Sequence, residues 1–511
     1  MSRLKTFTRS LASGYLQIGV NALYTFASVP LALHYLSTQE FGLWAVAMSV
    51  AGYLLLIDFG MTGAAARILI DHKDDPAGGA YGSVIKISIV VLLIQGLAIA
   101  LIGTAVSFWL PQLVNVPAPF RRTLFHLAAA LCVVQGIFFV TRIFWNLCIA
   151  HQRYDVSNYA QTGSLIVQFA TLWGAFHAGL GIYSLLAAAA VGSLCGFSGG
   201  WLAVVRLGFL PGRGRWGRFD RKLFREVFVL GSDQFLMAVG YQLTSASQIF
   251  VISKTLSLET AAVWSVATRP FMMAQQLVGR IFSFACSPLA EMIVRNEHER
   301  FLKRFRELVI VSAALAIFIA SGIAVCNQSF LRIWTKGQIA WNPINDFLFA
   351  LWFVITFMTG NHVAAVGLTK LIGRMRYVYF VEGILFVALA ILAAPRFGIP
   401  GIIIAAIVAN VLCSGIFGMR RTMKTFRLSA PELMSRWIAG PIIYCALLAA
   451  VLVGCWFLTQ PLGPILRLAL NAILAGVVGL WLLWRLGLSS ELRDELRVVA
   501  VRARNRFPKI F

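Results

Sequence analysis

Charged residues are scarce in this sequence. Only 13% of its 511 residues are Asp, Glu, Lys or Arg, and 59% are hydrophobic. A soluble protein of this length needs a charged surface to remain in water, so the composition argues strongly against one and indicates a protein embedded in a lipid bilayer.

Cysteine pairs are also lacking. The eight cysteines fall in apolar stretches, and no two of them form a CxxC pair. This pattern is typical of small buried side chains, not of disulfide bonds or metal ligands. We therefore expect no metal and no bound cofactor.

Long apolar runs, in contrast, are abundant. A helix needs about 20 residues to cross a hydrocarbon core of about 30 Å, and fourteen runs are long enough. The sequence predicts an all-α polytopic membrane protein of about 14 transmembrane helices, with 12 as the lower bound. The runs are residues 12–34, 41–66, 83–110, 124–149, 158–178, 182–205, 227–253, 260–289, 308–328, 346–369, 377–395, 399–419, 437–459 and 465–485.

The basic residues indicate how these spans are oriented. Lys and Arg outnumber Asp and Glu by 44 to 20. If the amino terminus faces the cytoplasm, 33 of the 44 lie in inward segments and 7 in outward loops, counting Arg467 at a loop edge, which leaves Lys86, Arg142, Arg269 and Arg280 within spans. Since cytoplasmic loops carry an excess of Lys and Arg, we predict a multi-pass inner (plasma) membrane protein with both termini cytoplasmic. The positive charge then faces anionic lipid, so we expect no nucleic-acid partner.

An internal repeat organises the chain. Residues 36–47 recur 220 positions later as residues 256–267, between long apolar segments in both places. Duplicated halves of a polytopic protein commonly form two lobes around a site at the membrane midplane, which makes transport the first hypothesis. Six spans per half predict lobes related by a pseudo-two-fold axis along the membrane normal. We predict an N-lobe at 1–211, a C-lobe at 212–430, an extra helix pair at 431–488 and a basic cytoplasmic tail at 489–511.

Two arginines within the eighth span are the strongest candidates for substrate binding. An arginine at bilayer depth costs about 3 kcal/mol unless it has a partner or water. Arg269 and Arg280 are about three helical turns apart on one face, with Gln276 between them. Guanidinium groups bind phosphate oxygens through two parallel hydrogen bonds, so the pair suits a diphosphate, with bonding of each arginine to backbone carbonyls or a neighbouring acid as the alternative. Pro270 interrupts the helix beside Arg269 and is a candidate hinge, although a static kink is the alternative.

Polar stripes on the first and seventh spans predict a wet interior between them, with hydrogen bonding between helices of one lobe as the alternative. The first stripe contains Gln17, Asn21 and Thr25, and the second contains Gln234, Tyr241, Ser245 and Gln248.

Five more charged residues lie within or beside spans. Asp58, Lys86 and Arg142, on spans two, three and four near the inner surface, are expected to pair between helices, and Asp58 and Arg142 are also candidates for an inward gate. Asp233 and Glu382 are candidates for coupling to a proton or sodium ion, unless their positions near helix starts let them reach the interface.

The motifs resemble those of a known family. Leu36-Ser-Thr-Gln-Glu-Phe-Gly-Leu-Trp44, Asp58-Phe-Gly-Met-Thr-Gly-Ala-Ala-Ala-Arg67 and Gln152-Arg153-Tyr154 are similar to segments of the oligosaccharide-lipid flippases of bacterial O-antigen and exopolysaccharide synthesis. Thr260-Ala-Ala-Val-Trp-Ser-Val-Ala-Thr-Arg269 resembles the matching segment of the second half, with Ala262 where a glycine is usual. The resemblance implies the fold of the multidrug, oligosaccharide-lipid and polysaccharide exporter superfamily, and a sugar chain on undecaprenyl pyrophosphate as substrate.

The expected function is therefore transport of a lipid-linked oligosaccharide, with no enzymatic step. Polymerase or glycosyltransferases of the same pathway are the expected partners, and the resemblance to lipid II flippases implies that spans 13 and 14 hold the lipid tail. A multidrug or cation exporter of the same superfamily is one alternative. A polysaccharide polymerase or glycosyltransferase is another, although the outward loops offer only the scattered acids Glu40, Glu259 and Asp346.

Overall fold

The chain forms helices throughout the part that the computed structural model describes, which is residues 3–72, 79–114, 116–295, 297–368, 374–488, 491–494 and 497. Backbone groups inside a bilayer have no water to bond, and a helix satisfies them within one segment. The predicted fold class, an all-α polytopic membrane protein, is confirmed.

The helices of the first half are, in chain order, α1 (Arg3–Tyr35), α2 (Thr38–Leu54), α3 (Met61–His72), α4 (Ala80–Leu113), α5 (Arg121–Phe138), α6 (Arg142–Ala150), α7 (Tyr154–His177) and α8 (Tyr183–Arg206). Those that follow are α9 (Arg221–Thr255), α10 (Leu258–Ala267), α11 (Arg269–Val294), α12 (His298–Trp334), α13 (Pro343–Leu368), α14 (Met375–Asn410), α15 (Ile416–Phe426), α16 (Ala430–Leu433), α17 (Ala439–Leu458) and α18 (Pro464–Leu482). Short 3₁₀ or π segments join several of them.

Among the described residues, eleven helical stretches are long and apolar enough to cross a membrane. They account for the predicted spans with four differences. The stretch that matches the predicted second span ends at Asp58, and the last residues of that span belong to the separate helix α3. α7, at 24 residues, is not among the eleven. The predicted eighth span is divided into α10 and α11, and the predicted eleventh and twelfth spans are joined in one stretch, Met375–Phe426.

Gly398 separates the two predicted spans within α14. Its φ of 61° lies in the left-handed region, which interrupts the helix and favours glycine. Pro395 and Pro400 stand on either side, and each lacks the backbone N–H that a continuous helix would use.

The contacts divide the chain into two compact units, Met1–Ser265 and Val266–Phe511. This division falls within α10, whereas the lobes predicted from the repeat meet near residue 211. The lobe boundaries, the extra helix pair and the tail at 489–511 remain predictions, and most of the tail lies outside the described residues.

Both copies of the repeated motif begin at a helix start. Ser37 caps α2, because its Oγ accepts a hydrogen bond from the Glu40 backbone N–H at 3.2 Å and Glu40 Oε2 accepts one from the Ser37 N–H at 2.8 Å. In the second copy, the backbone N–H of Thr260 donates to Ser257 Oγ at 3.0 Å. The same type of cap therefore starts α2 and α10.

The two copies also contact each other within the first unit. Gln39 Nε2 donates to Glu259 Oε1 at 2.5 Å, and these residues are 220 positions apart, the repeat offset itself. Gly42 packs so tightly on α10 that a Cβ atom there would overlap the backbone carbonyl of Leu258. The equivalent position in the second copy, Ala262, is fully buried but has a methyl group. Close approach therefore requires glycine on one side only.

We predict that Gly42→Ala lowers the free energy of unfolding by about 1–3 kcal/mol, since the added methyl group overpacks this contact. Thermal unfolding of the purified protein in detergent measures the effect. Gly19→Ala is the matched control, because a Cβ atom on Gly19 meets nothing within 4 Å. A Gly42→Ala protein that unfolds at the wild-type temperature would contradict the tight contact.

Candidate functional site

Arg269 is the first residue of α11, at a break in the predicted eighth span. α10 ends at Ala267, Thr268 is in a turn conformation, and Pro270 is the second residue of α11. Proline is well tolerated there because the first backbone N–H groups of a helix lack partners within the helix. The chain thus places a half-buried arginine next to the positive end of a 26-residue helix.

A buried polar network holds the other side of this break. Asn327 Nδ2, from α12, donates to the carbonyl of Ala267 at 3.1 Å and to Asp346 Oδ1 at 2.7 Å. Trp341 Nε1 donates to the same carboxylate oxygen at 2.8 Å. Asp346 is fully buried and Asn327 is 2% exposed. The network ties the last residue of α10 to α12 and α13, and so fixes where α11 begins.

Sequence reasoning missed Asn327 and Trp341, and it considered Asp346 only as an acid of an outward loop. The available signal was the position of Asn327 at the end of the ninth predicted span, beside Gln328, because a buried amide needs partners.

One face of α11 packs within the second unit, and the opposite face does not. Phe271 is 1% exposed and its ring lies 4.7 Å from that of Phe349 on α13. Met272, by contrast, is 51% exposed, and Gln276 is exposed as well. The predicted face that carries Arg269 and Gln276 is therefore the less buried side of the helix. The side chain of Arg280 lies outside what the structure describes.

The polar stripe of the first span makes a contact inside the first unit. Gln17 Nε2 donates to Gln161 Oε1 of α7 at 2.6 Å, so this residue takes part in hydrogen bonding between helices. Asn21 and Thr25 are half-buried. Their role in binding stays a prediction.

The stripe of the seventh span is partly buried. Tyr241 is 58% exposed, whereas Gln248 is 7% exposed. Ser245 and Gln248 donate to carbonyls one turn earlier, those of Tyr241 and Thr244, at 2.9 Å in each case. The side chains of Gln234 and Asp233 lie outside what the structure describes, and the proposed binding role of this stripe is still a prediction.

Of the three charged residues that the sequence predicts to pair, Asp58 and Arg142 do so, whereas Lys86 Nζ donates to the backbone carbonyl of Gly217 at 2.9 Å. Arg142 Nη1 lies 3.3 Å from Asp58 Oδ1, and its guanidinium carbon lies 4.3 Å from the Phe139 ring centroid. Thr62 donates to the same carboxylate oxygen, and Gln95 Nε2 donates to the Asp58 carbonyl at 3.1 Å. All these groups belong to the first unit. The cluster joins the start of α3 to α4 and α6, while a role as a gate stays a prediction.

Glu382 is buried in the second unit. It is 5% exposed, so it does not reach the surface. Its two carboxylate oxygens accept from Asn410 Nδ2 at 3.1 Å and from the backbone N–H of Ser414 at 3.0 Å. Thr359 Oγ1 donates to Asn410 Oδ1 at 3.1 Å. Within the described chain, Glu382 forms hydrogen bonds but no ion pair.

Comparison with known families gives a match over more than half of the chain. The family model described as "Polysaccharide biosynthesis protein" matches residues 8–294. No curated protein sequence matches the chain significantly.

Solved structures match the fold. The lipid II flippase MurJ in an inward closed conformation has a TM-score of 0.69 at 12% identity, covering 93% of this chain and 98% of that one. An inward-facing multidrug resistance MATE family transporter of the MOP superfamily has 0.66 at 12%, covering 80% and 96%. A MOP superfamily transporter from Pyrococcus furiosus has 0.56 at 14%, covering 83% and 96%. At these identities, the similarity shows the fold alone.

Asn327→Ala is expected to destabilise the protein by about 1–3 kcal/mol, because it removes a donor from the buried Asp346 carboxylate and from the Ala267 carbonyl. Chemical or thermal unfolding in detergent measures this loss. Gln338→Ala removes an exposed amide nearby and should unfold like the wild type. Equal stability of the two variants would mean that the network does not hold the break.

Proposed function

The chain belongs to the polysaccharide biosynthesis protein family, and on that premise we propose that it is a flippase for an undecaprenyl-pyrophosphate-linked oligosaccharide. It moves the headgroup and sugars from the cytoplasmic to the outer leaflet of the inner membrane by alternating access, while the polyprenyl tail remains in lipid. The position of Arg269 at the break between α10 and α11 is the observation that carries this proposal.

The chemistry of that position suits a diphosphate. An arginine keeps its charge at any physiological pH, and its planar group forms two parallel hydrogen bonds with phosphate oxygens. The positive end of the α11 dipole adds to the same potential. Met272 and Gln276 are exposed on the same face of α11 and could contact the part of the substrate next to the diphosphate. We propose that Arg280 and the polar stripes of the first and seventh spans also contact the substrate.

The outward acids support a transporter over the enzyme alternative. A polymerase or glycosyltransferase needs a free carboxylate to activate a hydroxyl or hold a metal. Glu40 caps α2, Glu259 accepts from Gln39, and Asp346 is buried in the Asn327 network. Each of the three thus has a structural partner.

A multidrug or cation exporter of the same superfamily is the remaining alternative. Binding a cation would call for an acid in the cavity, and α1 contains no Asp or Glu. The basic character of Arg269 favours an anionic substrate instead.

Glu382 is the best-described candidate for coupling to an ion. Its hydrogen bonds come from neutral groups, so the buried negative charge is left for a proton or sodium ion to compensate. We propose that ion coupling at Glu382 adds to the driving force that the membrane potential exerts on an anionic substrate. We also propose polymerase or glycosyltransferases of the pathway as partners in the membrane.

Replacing Arg269 tests the site. We expect Arg269→Gln to reduce transport of a lipid-linked oligosaccharide in reconstituted vesicles by about 30-fold or more, because a desolvated charge pair is lost. Arg269→Lys should give an intermediate rate, since it keeps the charge but not the two parallel hydrogen bonds. Arg206→Gln, at an exposed arginine, is the control. Normal transport by Arg269→Gln would remove this residue from the site.

Membrane potential tests the sign of the substrate charge. Moving two negative charges outward across 100 mV, inside negative, releases about 4–5 kcal/mol. We therefore expect an inside-negative potassium diffusion potential to accelerate outward transport in vesicles that have no proton or sodium gradient. A rate that does not change when the potential is reversed would argue against net movement of negative charge.

A further inference from the structure

Arg467 is a buried arginine whose donors lack acceptors. Arg467 lies in the first turn of α18, and only 8% of its surface is exposed. Its Nε and Nη2 atoms are buried and have no hydrogen-bond partner among the described residues. Leaving a charged donor unpaired away from water is costly, so such a group indicates a missing acceptor.

A second unpaired donor lies beside it. The guanidinium carbon of Arg467 is 5.0 Å from the ring centroid of Trp456, near the end of α17. Trp456 Nε1 is buried and has no partner in the described part of the chain either. An indole nitrogen can only donate. Three donor nitrogens on two adjacent helices therefore have no acceptor among the described residues.

The neighbouring polar groups do not supply that acceptor. Thr459 donates to Asn471 Oδ1 at 3.1 Å, and Asn471 Nδ2 donates to the Val325 carbonyl of α12 at 3.2 Å. These bonds hold α12, α17 and α18 together one helical turn after Arg467 along α18. They also use the acceptor oxygen of Asn471.

Arg332 adds a second positive charge from α12. It is exposed, and it lies two turns along α12 from Val325, whose carbonyl bonds Asn471 one turn from Arg467 on α18. Neither arginine forms an ion pair with any residue that the structure describes. Two like charges near each other, one of them buried, are stabilised by an anion between them.

We propose that Arg467, Trp456 and Arg332 bind the phosphate group of a lipid headgroup where α12, α17 and α18 meet. The charge pattern predicts that this end faces outward. Arg467 is three residues, about 4–5 Å, from the start of α18, which is the predicted outward end of the fourteenth span. Guanidinium, indole N–H and a second arginine supply the several donors that phosphate oxygens accept.

Two lipids carry this chemistry, an ordinary anionic phospholipid and an isoprenyl diphosphate carrier. Assignment to the carrier rests on the proposed function, and the site would then receive the diphosphate in the outer leaflet, at the predicted extra helix pair itself. Assignment to a phospholipid does not depend on transport at all.

Native mass spectrometry of the full-length protein in detergent tests the site. The probes are short-chain phosphatidylglycerol, farnesyl diphosphate and inorganic pyrophosphate, each titrated separately. We expect Arg467→Gln to weaken lipid binding about 10- to 100-fold and Trp456→Phe about 2- to 10-fold, as for charged and neutral hydrogen bonds. Arg396→Gln, at an exposed arginine on the same predicted side, should bind like the wild type.

The three probes distinguish the isoprenyl diphosphate carrier from an ordinary phospholipid as the ligand. Arg467-dependent binding that is tightest for farnesyl diphosphate supports the carrier, and equal binding of phosphatidylglycerol supports a phospholipid headgroup. Equal or tighter binding of inorganic pyrophosphate would overturn the assignment to lipid. Binding of both lipids that is unchanged in Arg467→Gln and Trp456→Phe, or absent in the wild type, would overturn the site itself.

Two further results keep the test independent of folding and of transport. If Arg467→Gln does not fold, Trp456→Phe and Arg467→Lys carry the comparison, since each keeps most of the packing. A wild-type protein that binds phosphatidylglycerol through Arg467 but moves no lipid-linked oligosaccharide would refute the proposed function and leave the phosphate site standing.

Discussion

Hydrocarbon cannot form hydrogen bonds, and this constraint governs the whole structure. A polar group inside the bilayer must find its partner in the chain or in a ligand. The backbone meets the requirement with helices. The polar side chains meet it in small groups: Asp58 with Arg142, Glu382 with Asn410, and Asp346 with Asn327.

Each of these groups also places an irregular piece of backbone. Asp58 lies in the short 3₁₀ segment between α2 and α3, and Asn410 immediately precedes a π segment. Asn327 bonds the last residue of α10, where the helix breaks. These three buried polar groups thus occur where the helices deviate from regularity, because an interrupted helix leaves backbone carbonyl and N–H groups that side chains can satisfy.

The two arginines with proposed ligands differ in what surrounds them. Arg269 stands at a helix break whose other side is fixed by the buried network, so its backbone position is set by packing. Arg467 lies in a regular helix between two others, and it is the side-chain nitrogens that lack acceptors. The exposed face near Arg269 suits a headgroup that arrives and leaves, whereas the enclosed setting of Arg467 suits a lipid phosphate that stays bound for longer, whichever of the two lipids carries it.

The sequence by itself determined the helical membrane fold, the approximate spans, the repeat and the need of Asp58, Lys86 and Arg142 for partners, because hydropathy, motif spacing and the cost of unpaired charge are local or nearly local properties. The same reasoning identified Arg269 and Pro270 but not the exact break at Thr268. Only the tertiary structure decided which residues hold that break, that Gln17 bonds Gln161, and that Arg467 is buried beside Trp456 instead of lying at the edge of a loop. Those facts depend on how separate helices face one another, and apolar helices of similar hydropathy can rotate about their axes without changing the pattern along the chain.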